Sequence, residues 1–129
     1  MRKQVIAERG APPKGIYSPA IVASGTIAYI SGQGPVDPQT GQLQSGSFAQ
    51  QAKLAFDNVT TLLQAAGTSW KHVVKVGVFL ADLKDFGQMN DIYKTYLTQP
   101  YPARTTVQAG LPKDMLIEVD CMAIIPQES

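Results

Sequence analysis

The sequence is short of the groups on which most enzymes and nucleic-acid binders rely. It has one cysteine, Cys121, and one histidine, His72. A single cysteine excludes an intramolecular disulfide, and its place in the apolar run "MLIEVDCMAII" marks a buried, inert thiol. One histidine and no second cysteine leave no ligand cluster at metal spacing. His72 heads an apolar run and reads as structural. Charge is scarce as well: 16% of residues are Asp, Glu, Lys or Arg, against about 25% in an average soluble domain. The 11 basic and 10 acidic side chains nearly cancel, at net +1. Such a balance gives neither a basic field for nucleic acid nor an acidic tail. No run approaches the ~20 apolar residues that span a bilayer. The opening "MRKQVIAERGAPP" has no apolar stretch of the secretory kind. A reducing cytoplasmic compartment is the default. "GTIAYISGQG" lacks the spacing and the following helix of a dinucleotide loop, and there is no Gly-x-Ser-x-Gly elbow. No metal or other cofactor is expected.

What is present fits one domain: 129 residues, 44% of them apolar, enough for a single core. "KQVIAE" (3–8) is a short strand candidate. "AIVASGTIAYISG" (20–32) is β-rich on both sides of Ser24-Gly25 and predicts a hairpin. "GPVDPQTGQ" (34–42) is loop. Residues 47–67 predict a helix: Ser47 with Gln50 forms a capping box, apolar residues recur at helical spacing from Phe48 to Ala66, and Gly67 suits the C′ position. "HVVKVGVFLA" (72–81) is a strand. Residues 82–97 predict a second helix opened by Asp82, with Leu83, Phe86, Asn90, Tyr93 and Leu97 on one face. "RTTVQAG" and "MLIEVDCMAII" are strands joined by "LPKD". The order β-β-β-α-β-α-β-β predicts an α+β fold, one mixed sheet with two helices on one face.

The 72–81 strand is apolar at nearly every position instead of alternating. A strand of that kind needs cover on both faces. Two helices cover one. Further copies of the chain must cover the other, so an oligomer is expected.

Two charged residues stand out in apolar surroundings. Arg104 opens a strand directly after "YPA", and Glu118 lies on the face of "MLIEVDCMAII" opposite the apolar odd-numbered residues. If "AGLPKD" closes a hairpin, the two charges project from one local surface. They are then either a cross-strand ion pair worth about 0.2–1 kcal/mol or a small-anion site.

Several stretches resemble the RidA family of reactive-intermediate (enamine/imine) deaminases, also called YjgF or L-PSP endoribonuclease-like proteins. They are "GIYSPAI" (15–21), "ISGQGPVDPQTG" (30–41), "QAKLAFDNVTTLLQAAG" (51–67), "HVVKVGVFLADLKDFGQMNDIY" (72–93) and "YPARTTVQAGLPKDMLIEVDCMAI" (101–124). The resemblance implies a chorismate-mutase-like subunit (bacillus type) in a homotrimer, with a small-molecule imino or keto acid bound in each intersubunit cleft. It implies that Arg104 binds the substrate carboxylate and that Glu118 places water or moves a proton. Tyr17 would line the cleft, with Gly32 and Asn90 near it. The implied activity is that of a 2-iminobutanoate/2-iminopropanoate deaminase. The chain departs from the usual family pattern at Ile16 and Pro19, in the first loop of the cleft, and at Thr106, where a cysteine is frequent. Alternatives are a ligand-binding or chaperone-like trimer, a pathway-specific deaminase of the 2-aminomuconate type, and a ribonuclease or translation inhibitor.

Overall fold

The structure is a computed structural model and describes residues 1–127. Eight main elements follow in order: β1 (Arg2–Val5), β2 (Ala20–Ala23), β3 (Thr26–Gln33), α1 (Phe48–Ala65), β4 (Val73–Leu80), α2 (Phe86–Tyr93), β5 (Ala103–Gln108) and β6 (Ile117–Ile125). The predicted α+β class holds, with two helices on one face of a mixed sheet. The sheet has four strands in the order β3-β6-β4-β5, and β1 and β2 form a separate two-stranded ribbon.

Two expected hairpins are not formed. Strands β2 and β3 do not pair across Ser24-Gly25; β2 pairs with β1 and β3 with β6. Strands β5 and β6 do not pair across "LPKD" either, because β4 lies between them, parallel to β5 and antiparallel to β6. The apolar strand takes the centre, where both edges are hydrogen-bonded. Its C-terminal end also ties down the connection between its neighbours: Ala109 N–H donates to the Leu80 carbonyl and Ala81 N–H to that of Leu116. The parallel β4–β5 pair requires a crossover, and α2 provides it.

Helix α1 begins as predicted. Ser47 Oγ accepts from Gln50 N–H, and the Gln50 side chain accepts from Ser47 N–H, so two of the otherwise unpaired amide donors are satisfied. Gly67, at φ 89°, follows the helix in the left-handed region. The second helix is shorter than expected. A 3₁₀ turn at Leu83–Asp85 precedes α2 and another at Lys94–Tyr96 follows it. The Asp82 carboxylate accepts from Lys84 N–H in the first of these turns.

Ala52, Ala55, Phe56, Val59 and Leu63 of α1 pack with Met89 and Tyr93 of α2 onto Val76, Val78 and Leu80 of β4 and onto Ile117, Val119, Cys121 and Ala123 of β6. Phe56, Trp70, Tyr93 and Tyr96 join the helices through ring pairs 5.3–6.3 Å apart, distances at which aromatic rings attract. The buried Gln51 amide donates to the Asp114 carbonyl while its oxygen accepts from Leu116 N–H, fixing the approach to β6.

The opposite sheet face is open. Ile27, Tyr29 and Val107 are 40%, 74% and 41% exposed on it, and Phe79 is half-buried. One chain therefore leaves apolar area in water that a second copy could cover.

Burial of Cys121 pushes its thiol up to about 12, with Asp120 adding to the effect. A raised value holds the unreactive thiol form, so the thiolate is scarce until the core opens. Native protein at pH 8 should resist an alkylating reagent that modifies it within minutes in denaturant. Mass spectrometry checks this, and fast labelling of the native protein would contradict the packing of β6 against α1.

Candidate functional site

Paired strand residues share a face, and the register therefore decides where each charged side chain points. Arg104 pairs with Val76, which pairs with Cys121. These belong to the helix side of the sheet. Glu118 pairs with Phe79, one position out of phase, and belongs to the open side. In one chain the two charges lie on opposite faces, with β4 between their strands. The cross-strand ion pair is absent, and so is the single local surface expected from a β5–β6 hairpin.

On the helix side Arg104 is held by side chains of α2. Its Nη1 donates to Asn90 Oδ1 at 2.5 Å. Its Cζ lies 5.2 Å from the centre of the Tyr93 ring and 5.6 Å from that of Phe86, within the range of cation–π attraction. Residues 86, 90 and 93 reach one guanidinium because helical spacing puts them on one stripe. Burial lowers the arginine pKa, and the nearby Tyr93 and Tyr17 phenols act the other way. The group starts so high that it stays charged. No carboxylate pairs with it: among the described residues the ion pairs are Lys53–Asp57 and Lys94–Asp91. The result is a half-buried cation, fixed in direction, without a counter-ion. Tyr93 Oη and Thr106 Oγ1, both buried in this region, have no hydrogen-bond partner among the described residues.

Tyr17 joins this half of the site. Ser18 N–H donates to the Pro102 carbonyl and the Ser18 hydroxyl to that of Tyr101, which anchors the 15–18 loop beside the start of β5. The Tyr17 hydroxyl accepts from Lys14 N–H. Of the two residues that depart from the family pattern here, Ile16 is half-buried and Pro19 exposed.

The other half is Gly32 with Glu118. The β3–β6 register shifts between Ile30 and Gln33, a bulge that brings Gly32 over the glutamate. A Cβ at position 32 would lie 2.6 Å from Glu118 Oε2 and 2.7 Å from its Cδ. Only glycine leaves the carboxylate where it is. The structure thus groups Arg104, Asn90 and Tyr17 on one side and Gly32 and Glu118 on the other. Phe86 and Tyr93 were missed as site residues. Their signal was their helical spacing to Asn90, a polar residue on an apolar stripe. Among the described residues no group of three or more His, Cys, Asp and Glu side chains is arranged to hold a metal. No helix is long and apolar enough to cross a membrane.

The chain matches the family model for Endoribonuclease L-PSP over residues 8–125, and it belongs to that family, which includes the RidA and RutC proteins. It is 46% identical over 124 residues to the 2-iminobutanoate/2-iminopropanoate deaminase of Homo sapiens, covering 95% of this chain and 90% of the other. It is 43% identical over 125 residues to a RutC family protein of Pyrococcus abyssi, covering 95% and 98%. Among solved structures, RidA from the Antarctic bacterium Psychrobacter matches with a TM-score of 0.73 at 39% identity, over 95% of this chain and 99% of that one. TdcF of E. coli with bound serine matches with a TM-score of 0.71 at 36% identity, over 95% and 98%.

If the arginine serves a ligand and not the fold, an apolar residue of similar length should be tolerated. The change breaks one side-chain hydrogen bond, to Asn90, and no ion pair among the described residues, while it removes the cost of keeping a charge half-buried. Arg104→Met should therefore melt within a few degrees of the wild type or above it. A large fall in melting temperature would assign the arginine to the fold.

Proposed function

We propose that the chain hydrolyses 2-imino acids to 2-keto acids and ammonia. The observation that carries the reading is the unpaired guanidinium of Arg104, preset by Asn90 and two aromatic rings. Its planar fork matches a carboxylate with two parallel N–H···O bonds. The name of the human relative and the serine bound to the E. coli one support a small carboxylate-bearing ligand.

The chemistry asks for little more. With the carboxylate gripped by Arg104, the neighbouring C=N carbon is fixed in place. Glu118 accepts a proton from water as the oxygen adds to that carbon and passes it to the imine nitrogen, giving a neutral carbinolamine. Glu118 then takes the hydroxyl proton and delivers it to the amino group as the C=O bond forms and the C–N bond breaks, so that ammonia leaves and the carboxylate is restored. Positioning and one general base supply the acceleration.

Arg104 and Glu118 lie on opposite faces of one sheet, so one chain does not bring both to one substrate. The reading therefore requires a neighbour: the Arg104 half of one subunit faces the Gly32–Glu118 half of the next. A homotrimer with three such clefts satisfies this, and it covers the exposed Ile27, Tyr29 and Val107 as well. The alternative name, endoribonuclease, gains no support from a net charge of +1, since RNA binding draws on many basic contacts.

The test couples an amino-acid oxidase or a threonine dehydratase to the protein and times keto-acid formation. Charge-assisted bonds are worth about 1.5–3 kcal/mol, so Arg104→Lys, which loses one, should cut catalytic efficiency roughly 10- to 150-fold. Arg104→Ala should cut it further. Normal turnover in both would refute the carboxylate grip. Gly32→Ala should leave the fold intact, because the tip of Glu118 can move aside, yet lower kcat by displacing the base. Unchanged kcat in that variant would remove Glu118 from the reaction. Light scattering should give about three times the 13.9 kDa chain mass, and a stable monomer at micromolar concentration would remove the shared cleft.

A further inference from the structure

A second group of cations lines a groove that does not include Arg104, although Arg2 and Arg104 both act on the Tyr93 phenol. A groove of about 410 Å³ is lined by Arg2, Lys71 and His72, with Thr98, Gln99 and Pro100 on one side. Arg2 is rigid there. Its Nε donates to the Val73 carbonyl and its Nη2 to that of Pro100, each at 2.8 Å. These bonds tie the β1–β2 ribbon to the head of β4, one residue beyond His72. Both acceptors are neutral, so these bonds do not themselves neutralise the guanidinium. Among the described residues neither Arg2 nor Lys71 pairs with a carboxylate and no Asp or Glu lines the groove. His72 feels the crowding: burial lowers its pKa first, then the charges of Lys71, Arg2 and the amino group at Met1.

We propose that this groove is a binding site for a phosphate-type dianion, distinct from the Arg104 site. Arg2, held by two backbone carbonyls, and the exposed Lys71 bring two positive charges to the groove, which suit a dianion better than a monocarboxylate. The imidazole adds a third donor, which becomes charged as the anion arrives. An anion raises the pKa of a nearby histidine, while Lys71 and Arg2 alone lower it. Free phosphate and a phosphate ester share this chemistry, and the groove has room for either.

His72 is the chain's one histidine, so its ring proton resonance reads the site without assignment. The intact oligomer is titrated with pH in inorganic phosphate and in chloride at matched ionic strength. The His72 pKa should be higher in phosphate by about one unit. Lys71 is exposed, and Lys71→Gln should keep the wild-type melting temperature while weakening phosphate binding about tenfold. Arg104→Met should respond to phosphate as the wild type does. A small phosphate ester that shifts the resonance at lower concentration than inorganic phosphate would identify an ester as the better ligand. Three results would overturn the proposal: equal His72 pKa values in phosphate and chloride, an unaltered phosphate response in Lys71→Gln, or a response that disappears in Arg104→Met.

Discussion

Strand β4 is hydrogen-bonded along both edges, to β5 on one side and β6 on the other, and this pairing sets the faces on which Arg104 and Glu118 stand. Because side chains alternate across a sheet, the register assigns each residue of β5 and β6 to a face. Arg104 falls in phase with Val76 and Cys121, under α2. Glu118 falls in phase with Phe79, on the open side. A slip of one residue would exchange the faces and expose the core. The valines and leucine of β4 that fill that core hold the register, and with it the division of the site into two halves.

The helix side prepares a cation and leaves it unmatched. Asn90 contributes an oxygen, and Phe86 and Tyr93 contribute ring faces, so the guanidinium is oriented by partners that do not neutralise it. A carboxylate would have done so and closed the site. The open side prepares a carboxylate in the same economical way: the bulge in β3 and the missing Cβ of Gly32 make room for Glu118. Among the described residues each half lacks a partner of opposite charge, which is what the proposed shared cleft would supply.

Much of this was legible in the sequence, and for physical reasons. The capping box at Ser47 and the apolar stripe of α1 are local signals, and they were read correctly. The apolar run of β4 predicted a strand needing cover on both faces, but its outer face carries Lys75, Gly77 and Phe79, and the exposed apolar residues of that face lie on β3 and β5. Strand pairing was misread at both hairpins. Ser24-Gly25 and "LPKD" have turn chemistry, but turn chemistry does not say which strand lies next door. Central placement of β4 is a non-local outcome, and it overrode the short connection between β5 and β6. The same error put Arg104 and Glu118 on one surface. Asn90 carried a readable clue, a polar residue on an apolar helical face. Its partner, Arg104, lies on another element, and the bond between them is set by how the chain returns from α2 to β5.

The central claim is that one site draws Arg104 from one subunit and Glu118 from another. Subunit mixing tests it most directly. Arg104→Ala and Glu118→Ala chains, each inactive alone, are unfolded together in equal amounts, refolded and assayed for imine hydrolysis. With random assembly, about a quarter of the clefts combine an intact arginine with an intact glutamate. The account predicts recovery of about that fraction of wild-type activity. No recovery from a mixture shown to contain hybrid oligomers would contradict it.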